Sequence, residues 1–382
     1  MKNIKNPQIS KPLILFIVTS YSYFLSHRIP AYNAAKQYGF EVHLICEKDV
    51  SSSKKYDIII HDFDMKRNKI NPLTIFYNLV KLKKKINTIN PDLIFNVALQ
   101  PIFLTLMICL YKKVKIINGV MGFGVLFKHI KDRKIIYVLL KIFFKIFALK
   151  NTNYFLVQNT DDKLILKDFG INEEKVNLIK GSGVHIKNNI LKKRNNEQIN
   201  LGFSGRLLKI KGIELLLKSF LQINGHNKKY KLFLAGTTDP KNPTSLKQND
   251  IKIWSKYEDI TFLGFVEDIQ DFWEKMDIGI FPSLYGEGIP KSMLEAVAFR
   301  CPIITSDING CLDFSKKQKN SILVNAGNID SITSAITFLG ENYNQRTIMA
   351  DNALALLKKE YSDNIIANEY LKTYKSILNQ EI

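Results

Sequence analysis

Short apolar runs of four to six residues recur along this chain, separated by longer amphipathic stretches. The pattern stops near residue 187 and starts again at residue 199. A run that short and that apolar is a strand covered on both faces, and the amphipathic stretch between two such strands is the crossover helix of a β-α-β unit. In the first half the reading places strands at Leu13–Val18, Glu41–Cys46, Asp57–Ile60, Asp92–Val97, Lys115–Asn118, Tyr154–Val157 and Val176–Ile179, with helices about Ser26–Tyr38, Pro72–Ile89 and Pro101–Lys112. In the second half strands fall at Ile199–Phe203, Lys231–Ala235, Ile260–Leu263, Ile278–Phe281 and Pro302–Thr305, with helices at Gly212–Leu221, Ile269–Lys275 and Pro290–Ala298. The recurrence predicts an α/β chain of two Rossmann-like halves, each around a parallel sheet.

The stretch between them, residues 187–198, is rich in Asn, Lys and Arg and has no period, so it reads as a linker. That divides the chain into a first domain over residues 1–186, a second over 199–360, and a final amphipathic helix within 361–382 that can run back across the first domain. A length of 382 residues suits two domains of ordinary size. Cys46, Cys109, Cys301 and Cys311 stand singly, with neither paired spacing nor an adjacent His, so no zinc site and no disulfide framework is indicated. Lysines interrupt every apolar run before the ~20 residues a membrane-spanning helix needs. The run Pro12–Val18 after Lys2, Lys5 and Lys11 superficially resembles a signal peptide but is short and lacks a small-residue exit, so a buried first strand is expected.

Charge is unevenly spread. The formal net charge is +20, yet residues 1–190 hold 30 Lys and Arg against 13 Asp and Glu, while residues 191–382 hold 25 against 22. A lysine-rich composition would enlarge every solvated face alike; it would not spare one half. The asymmetry suits a partner with a dense negative surface, such as anionic lipid or a large phosphorylated substrate. Nucleic acid is disfavoured, because the basic half carries no recognition module and no interleaved stacking aromatics. Within that half, Lys134–Phe147 places Lys134, Lys141 and Lys145 on one helical face amid large apolar residues. Such a helix can lie in a bilayer interface or can be a core helix whose lysines reach solvent.

Two segments of the second half carry chemistry. Arg206 and Lys211 fall in a glycine-bounded loop, Ser204 to Gly212, at the carboxyl edge of a strand, where open α/β sheets bind ligands. Two fixed cations there suit a diphosphate, Arg through its fork and Lys as a point charge. Further on, a strand leads through Pro282-Ser283-Leu284-Tyr285-Gly286 to Glu287-Gly288-Ile289-Pro290, with Pro290 suited to open a helix that holds Glu295 in its second turn. Backbone N–H groups around Gly288 and Ile289 can hold phosphate at the positive helix end. From Pro290 to Glu295 the helix advances about 7.5 Å, so the two carboxylates can reach groups on opposite sides of a diphosphate.

At these residues the chain resembles the retaining glycosyltransferases of family 4, which have the GT-B fold of two Rossmann-like domains facing a central cleft. The resemblance rests on Gly205-Arg206 with Lys211-Gly212, on Leu263-Gly264-Phe265, on Phe281-Pro282-Ser283, on Glu287 with Glu295, and on Pro302 to Asp307 followed by Gly310. In the first half, Phe24 to Pro30, Asn90-Pro91-Asp92, Gly119 to Phe123, Gln158-Asn159 and Gly181 to Val184 look like the acceptor domain of the branch that extends polyprenyl-diphosphate-linked glycans. The resemblance implies that Arg206 and Lys211 neutralise the departing nucleotide diphosphate, that Glu287 binds hydroxyls of the transferred sugar and that Glu295 binds the ribose. It adds Gly205, Phe265, Gly288, Ile289 and Pro290 to the nucleotide-sugar site, and His27, Arg28 and Gly122 to the acceptor side. It implies a UDP-linked hexose or N-acetylhexosamine donor, a lipid-linked or other glycan acceptor, no cofactor and no metal, and a place on the cytoplasmic face of the inner membrane, against anionic lipid. The chain departs from the pattern twice: no His follows the fourth strand, where Asn96 to Pro101 stand, and His185 replaces a common Asp. The competing readings are a non-catalytic basic protein binding membrane or nucleic acid, and a nucleotide-sugar epimerase or hydrolase on the same fold.

Overall fold

The computed structural model describes residues 11–50, 56–65, 71–109, 113–123, 134–148, 150, 152–187, 197–225, 229–240, 242–285, 288–315 and 319–378. Two parallel sheets follow one another along the chain. The first comprises β1 (Leu13–Ser20), β2 (Glu41–Glu47), β3 (Ile59–Asp62), β4 (Leu93–Val97), β5 (Lys115–Val120), β6 (Asn153–Val157) and β7 (Val176–Leu178) in the order β3-β2-β1-β4-β5-β6-β7. The second comprises β8 (Ile199–Ser204), β9 (Tyr230–Ala235), β10 (Ile260–Gly264), β11 (Ile278–Phe281), β12 (Ile303–Ser306) and β13 (Ile322–Val324) in the order β10-β9-β8-β11-β12-β13. Both sheets therefore reverse direction once, between β1 and β4 and between β8 and β11. At such a switch point the loops leaving the two strands diverge and open a crevice at their carboxyl ends. This is the two-Rossmann GT-B architecture.

The core follows the apolar alternation. β1 is buried from Ile14 to Val18; Ile14, Phe16 and Val18 pack with Phe24, Ala31 and Tyr370 on one face, and Leu15 and Ile17 with Leu82, Ile86 and Leu104 on the other. The final helix, Asp363–Leu378, packs against the helix Ile29–Tyr38 of the first sheet's domain, and Tyr374 Oη donates to the Ala31 carbonyl at 3.1 Å. Lys115, at the start of β5, donates to the carbonyl of Ile377 at 2.8 Å. The chain crosses between the domains where Val184 bridges Ser362 and His185 Nδ1 faces Asp363 at 3.4 Å. Most of the stretch read as a linker, residues 188–196, lies outside the described residues.

Several elements differ from the sequence expectation. The helix expected over Ser26–Tyr38 is two helices, Tyr21–His27 and Ile29–Tyr38, broken at Arg28, whose ψ of 6° leaves the helical region. Pro30 brings no N–H to the ladder, so the break occurs where the second helix has least to lose. Helices at Thr160–Asp168, Gln248–Trp254, Cys311–Ser315, Ile329–Glu341 and Tyr343–Glu360 and the short strand β13 were not singled out.

The Lys134–Ala148 helix settles between its two readings. Phe144 is fully buried among Phe123, Phe155 and Phe169, with Tyr137, Leu140 and Phe143 beside it. On the other side Ile135, Val138, Leu139, Ile142 and Ile146 stand exposed, Ile135 by 78%. Positions 135, 138, 139, 142 and 146 form one helical stripe, so the helix covers the sheet with one face and offers an apolar face to the outside. Lys141 pairs with Asp168 at 3.0 Å, and the side chain of Lys134 lies outside the described residues. Among the described residues no helix is long and apolar enough to cross a membrane.

Candidate active site

The loop after β8 is held in place by backbone contacts on two sides. Gly205 N–H donates to the Ala235 carbonyl at 2.9 Å, and Gly236 N–H donates to the Gly264 carbonyl at 2.7 Å, tying together the carboxyl ends of β8, β9 and β10. A Cβ on Gly236 would sit 1.8 Å from the Gly205 carbonyl oxygen, so glycine alone permits this approach. Arg206 leaves this junction as an exposed side chain (60%), and its Nη1 pairs with Asp239 at 3.0 Å. That carboxylate fixes where the guanidinium stands while leaving most of its donors open. Phe265, just past β10, is 80% exposed, a bare aromatic face at the same edge.

On the other side the same loop meets the one after β11. Lys209–Lys211 forms a single 3-10 turn closed by Gly212 at φ +74°, and the Leu284 N–H donates to the Ile210 carbonyl at 2.9 Å. A Cβ on Gly212 would lie 1.9 Å from the Pro282 carbonyl oxygen. The Lys211 turn and the Pro282-Ser283-Leu284 turn are thus in backbone contact across the switch point, which brings the expected diphosphate cations and the glutamate loop to one place. Gly286 and Glu287 lie outside the described residues.

Beyond them, Gly288, Ile289 and Pro290 are buried, and the helix runs over Lys291–Ala298. Pro290 is not its first residue: with ψ at 122° it is the N-cap, and its carbonyl accepts from Met293 and Leu294. Pro290 supplies no side-chain cap, so the first N–H groups of this helix have no bond from their N-cap side chain. Glu295 is half-buried and pairs with Lys291 at 3.2 Å, one turn back on the same face.

The first domain closes the crevice from the opposite side. A Cβ on Gly288 would meet Gln158 Oε1 at 2.7 Å and the Met121 carbonyl at 3.6 Å, and one on Gly181 would meet Leu294 Cδ1 at 3.3 Å. Thr160 N–H donates to Asp313 of the second domain at 3.2 Å. Asp162 beside it accepts from the N–H of Phe123, which steadies the Gly122 turn at the end of β5. Burial pushes its carboxyl up to about 6, against the lowering effect of that bond. Gln158 is buried with its Nε2 unpartnered, a cleft residue that the sequence marked only as part of the acceptor-domain pattern.

Of the acceptor-side residues, His27 and Arg28 part company. Arg28 is fully buried; its Nη1 donates to Tyr370 Oη at 3.0 Å and its Nη2 to Tyr23 Oη at 2.9 Å. It fastens the last helix to the first domain, its guanidinium engaged by the buried Tyr370 and the half-buried Tyr23. His27 stays at the crevice rim, stacked on Tyr23 with ring centroids 4.5 Å apart. Burial, then the charges of Arg28, Lys291 and Lys211, hold its imidazole down at about 3, outweighing a bond to the Tyr23 carbonyl. The named lysines belong to the second domain, so His27 lies close enough to that domain to feel their charge.

Among the described residues no group of three or more His, Cys, Asp or Glu converges as a metal cage. A pocket of about 590 Å³ lies elsewhere, at the far edge of the first sheet, lined by His61, Asp62, Tyr77, Lys81, Lys84 and Lys85 among others. The contacts described above, not that pocket, assemble the candidate residues.

Comparison with known proteins agrees with this geometry. Residues 13–159 match the family described as "Glycosyl transferase 4-like", and residues 198–342 the family described as "Glycosyl transferases group 1". The chain is 26% identical over 383 aligned positions to N,N'-diacetylbacillosaminyl-diphospho-undecaprenol alpha-1,3-N-acetylgalactosaminyltransferase of Campylobacter jejuni, covering 93% of this chain and 98% of that protein. Its fold is similar to that of Anabaena HepE, solved in complex with UDP and glucose (TM-score 0.74, 15% identity, 96% of this chain and 100% of that one). It is also similar to sucrose-phosphate synthase from Thermosynechococcus elongatus (TM-score 0.77, 16% identity, 97% and 100%).

Proposed function

The chain is a GT-B glycosyltransferase related to the family 4-like enzymes, and from that premise we propose that it transfers a hexose or N-acetylhexosamine from a UDP-sugar to a lipid-linked glycan precursor, with retention at the anomeric carbon. The observation that supports the reading is the backbone contact of the Lys211-Gly212 turn with Pro282, which joins the loop that carries Arg206 and Lys211 to the loop that leads to the Lys291–Ala298 helix at the switch point of the second sheet. The Campylobacter relative, named for an undecaprenol-diphosphate-linked substrate, supports the acceptor class and makes N-acetylgalactosamine the first donor sugar to test.

In this mechanism the diphosphate lies over the start of the Lys291–Ala298 helix. Arg206, held by Asp239, and Lys211 face the oxygen on which charge grows as the glycosidic bond breaks. Fixed cations and backbone N–H groups favour that transition state because they need no reorganisation when the charge appears. Gly205, Gly288, Ile289 and Pro290 supply close backbone; Glu295 takes the ribose hydroxyls, Glu287 the hydroxyls of the transferred sugar, and Phe265 the edge of the base. The acceptor hydroxyl attacks the face from which UDP leaves, and its proton passes to the departing phosphate oxygen. Charge neutralisation by these side chains makes the reaction independent of an added divalent metal.

The acceptor stays in a bilayer, so the basic first domain docks there, the exposed stripe Ile135, Leu139 and Ile142 entering the interface and the surrounding lysines meeting anionic headgroups on the cytoplasmic face. The second domain handles the soluble nucleotide and remains free to close. The test is UDP release from UDP-N-acetylgalactosamine, UDP-N-acetylglucosamine, UDP-galactose and UDP-glucose, with and without a farnesyl-diphosphate-linked N-acetylhexosamine. Acceptor-dependent release with a new disaccharide supports transfer. Release at the same rate without acceptor identifies a hydrolase, and a changed sugar with no release an epimerase; either overturns the proposal.

A further inference from the structure

His27 ends the helix that leaves the carboxyl end of β1, at the first sheet's own switch point. Its position against the second domain follows from packing. Three residues on, Pro30 Cγ lies 3.0 Å from where a Cβ on Gly183 would stand, and a Cβ on Gly181 in turn would lie against Ile289 and Leu294 of the segment at the proposed donor site. The ring is held on one face by Tyr23 and at one edge by Ser26, whose Oγ is 2.5 Å from Nδ1.

The hydrogen-bond pattern favours one tautomer. Ser26 Oγ has a single proton and lies 3.1 Å from the Tyr23 carbonyl. With that proton directed at the carbonyl, the 2.5 Å contact with His27 is one in which Nδ1–H donates and the hydroxyl oxygen accepts. A neutral imidazole protonated at Nδ1 presents Nε2 as an acceptor only, and the ring contacts among the described residues, Ser26 Oγ at Nδ1 and the Tyr23 carbonyl, bring no donor to Nε2. Such a nitrogen takes a hydrogen bond from a hydroxyl or an amide N–H. It repels the oxygens of a phosphate, which offer no proton at neutral pH.

We propose that His27 Nε2 accepts a hydrogen bond from a hydroxyl or acetamido N–H of the acceptor sugar next to the reacting position, making His27 a reader of the acceptor glycan rather than of its diphosphate. This rests on the transferase reading above. The reacting hydroxyl keeps its own proton route to the departing phosphate oxygen, and His27 acts on its neighbour, fixing how the acceptor ring is turned. The cations that face His27, Arg28 on its own chain segment and Lys211 and Lys291 across the crevice, keep the ring from acquiring a second proton that would erase the acceptor.

The experiment measures steady-state transfer to the farnesyl-diphosphate-linked N-acetylhexosamine and, separately, UDP affinity by calorimetry, for the wild type, His27→Phe and His27→Gln. Phe keeps the stack on Tyr23 and has no acceptor; Gln offers an amide oxygen. The proposal expects His27→Phe to raise the acceptor KM about tenfold or more, His27→Gln to recover part of that, and UDP affinity to stay at the wild-type value in both. Deoxy analogues of the acceptor, including the 2-deoxy sugar that lacks the acetamido group, supply the second measurement: the one lacking the hydroxyl or acetamido N–H that His27 reads should be equally poor for the wild type and for His27→Phe. An unchanged acceptor KM in His27→Phe, or a loss of UDP affinity matching the loss of transfer, overturns the proposal. If His27→Phe fails to fold, His27→Gln and the deoxy series decide the matter: no analogue penalised in the wild type also overturns it. Failure of the transferase reading has a different signature, a wild-type protein without acceptor-dependent turnover.

Discussion

Replacing Gly212 by Ala tests the contact on which the donor site stands. The residue has φ +74°, where an L side chain costs about 1–2 kcal/mol. The added Cβ would also lie 1.9 Å from the Pro282 carbonyl oxygen, 2.8 Å from its carbonyl carbon and 3.0 Å from its Cγ. Backbone on both sides must move by more than an ångström, and neither side has a flexible end to swing away. With strain added to the conformational cost, the substitution should destabilise the second domain by about 2–4 kcal/mol. For a domain of this size that lowers the thermal midpoint by roughly 5–15 °C. Because the shift separates the Lys211 turn from the Pro282 turn, UDP affinity should fall as well, measured by calorimetry below the melting range. Gly288→Ala is the control. Its Cβ would meet the end of the Gln158 side chain at 2.7 Å and otherwise nothing nearer than 3.6 Å, so a rotation of Gln158 relieves it. That variant should melt within a few degrees of the wild type. If Gly212→Ala melts with the wild type and binds UDP as well, the two turns are not in backbone contact and the site as described is wrong.

Arg206→Ala and Lys211→Ala should each lower kcat by about 10²–10³-fold, with a smaller effect on UDP affinity, because the cations act on charge that grows in the transition state; unchanged kcat in both removes them from the mechanism. Glu295→Gln should weaken UDP binding and leave kcat at saturating donor nearly intact, since Glu295 is placed on the ribose, and calorimetry against UDP and uracil separates that effect from a general loss. Leu139→Asn with Ile142→Asn should reduce adsorption to anionic vesicles while sparing turnover of a soluble short-chain acceptor, and equal adsorption of variant and wild type would take the stripe out of the interface. His27 gives a pH signature. Its folded value of about 3 lies below the free value of 6.5, so the unfolded chain binds the extra proton and stability falls as pH drops through that window. At pH 5.5 the loss relative to pH 8 is on the order of 1 kcal/mol, and His27→Phe should lack it; Asp162, shifted upward, contributes with the opposite sign in both proteins and cancels in the difference.

The sheets were legible because strands buried on both faces are written as apolar runs, and nearly every run from Leu13 to Thr305 became a strand within a residue or two. The placement of the candidate donor-site residues was legible as spacing: Arg206, Lys211 and the helix after Pro290 follow the ends of β8 and β11 because motif and strand end coincide. What stayed hidden depends on partners distant in sequence. Arg28 looks like any surface arginine until Tyr370, 342 residues away, accepts its hydrogen bond. The opposed faces of the Lys134–Ala148 helix share one composition, and only the phenylalanines of other elements decide which face is covered. Gln158 carries no signal of its own; its place under Gly288 comes from the closure of one domain on the other. The helices Ile329–Glu341 and Tyr343–Glu360 follow each other without a strand between them, so the alternation that found the earlier ones had nothing to mark.

The central claim, that charge leaving on UDP is met by the cations of the β8 loop as sugar passes to a lipid-linked acceptor, is tested most directly by UDP release from UDP-N-acetylgalactosamine and the other three donors in the presence of EDTA. The rate is followed with and without the farnesyl-diphosphate-linked N-acetylhexosamine, for the wild type and Lys211→Ala. The account predicts acceptor-dependent release by the wild type that EDTA leaves intact and that Lys211→Ala reduces by two orders of magnitude or about that. Release that ignores the acceptor, that EDTA abolishes and Mg²⁺ restores, or that Lys211→Ala leaves unchanged would contradict it.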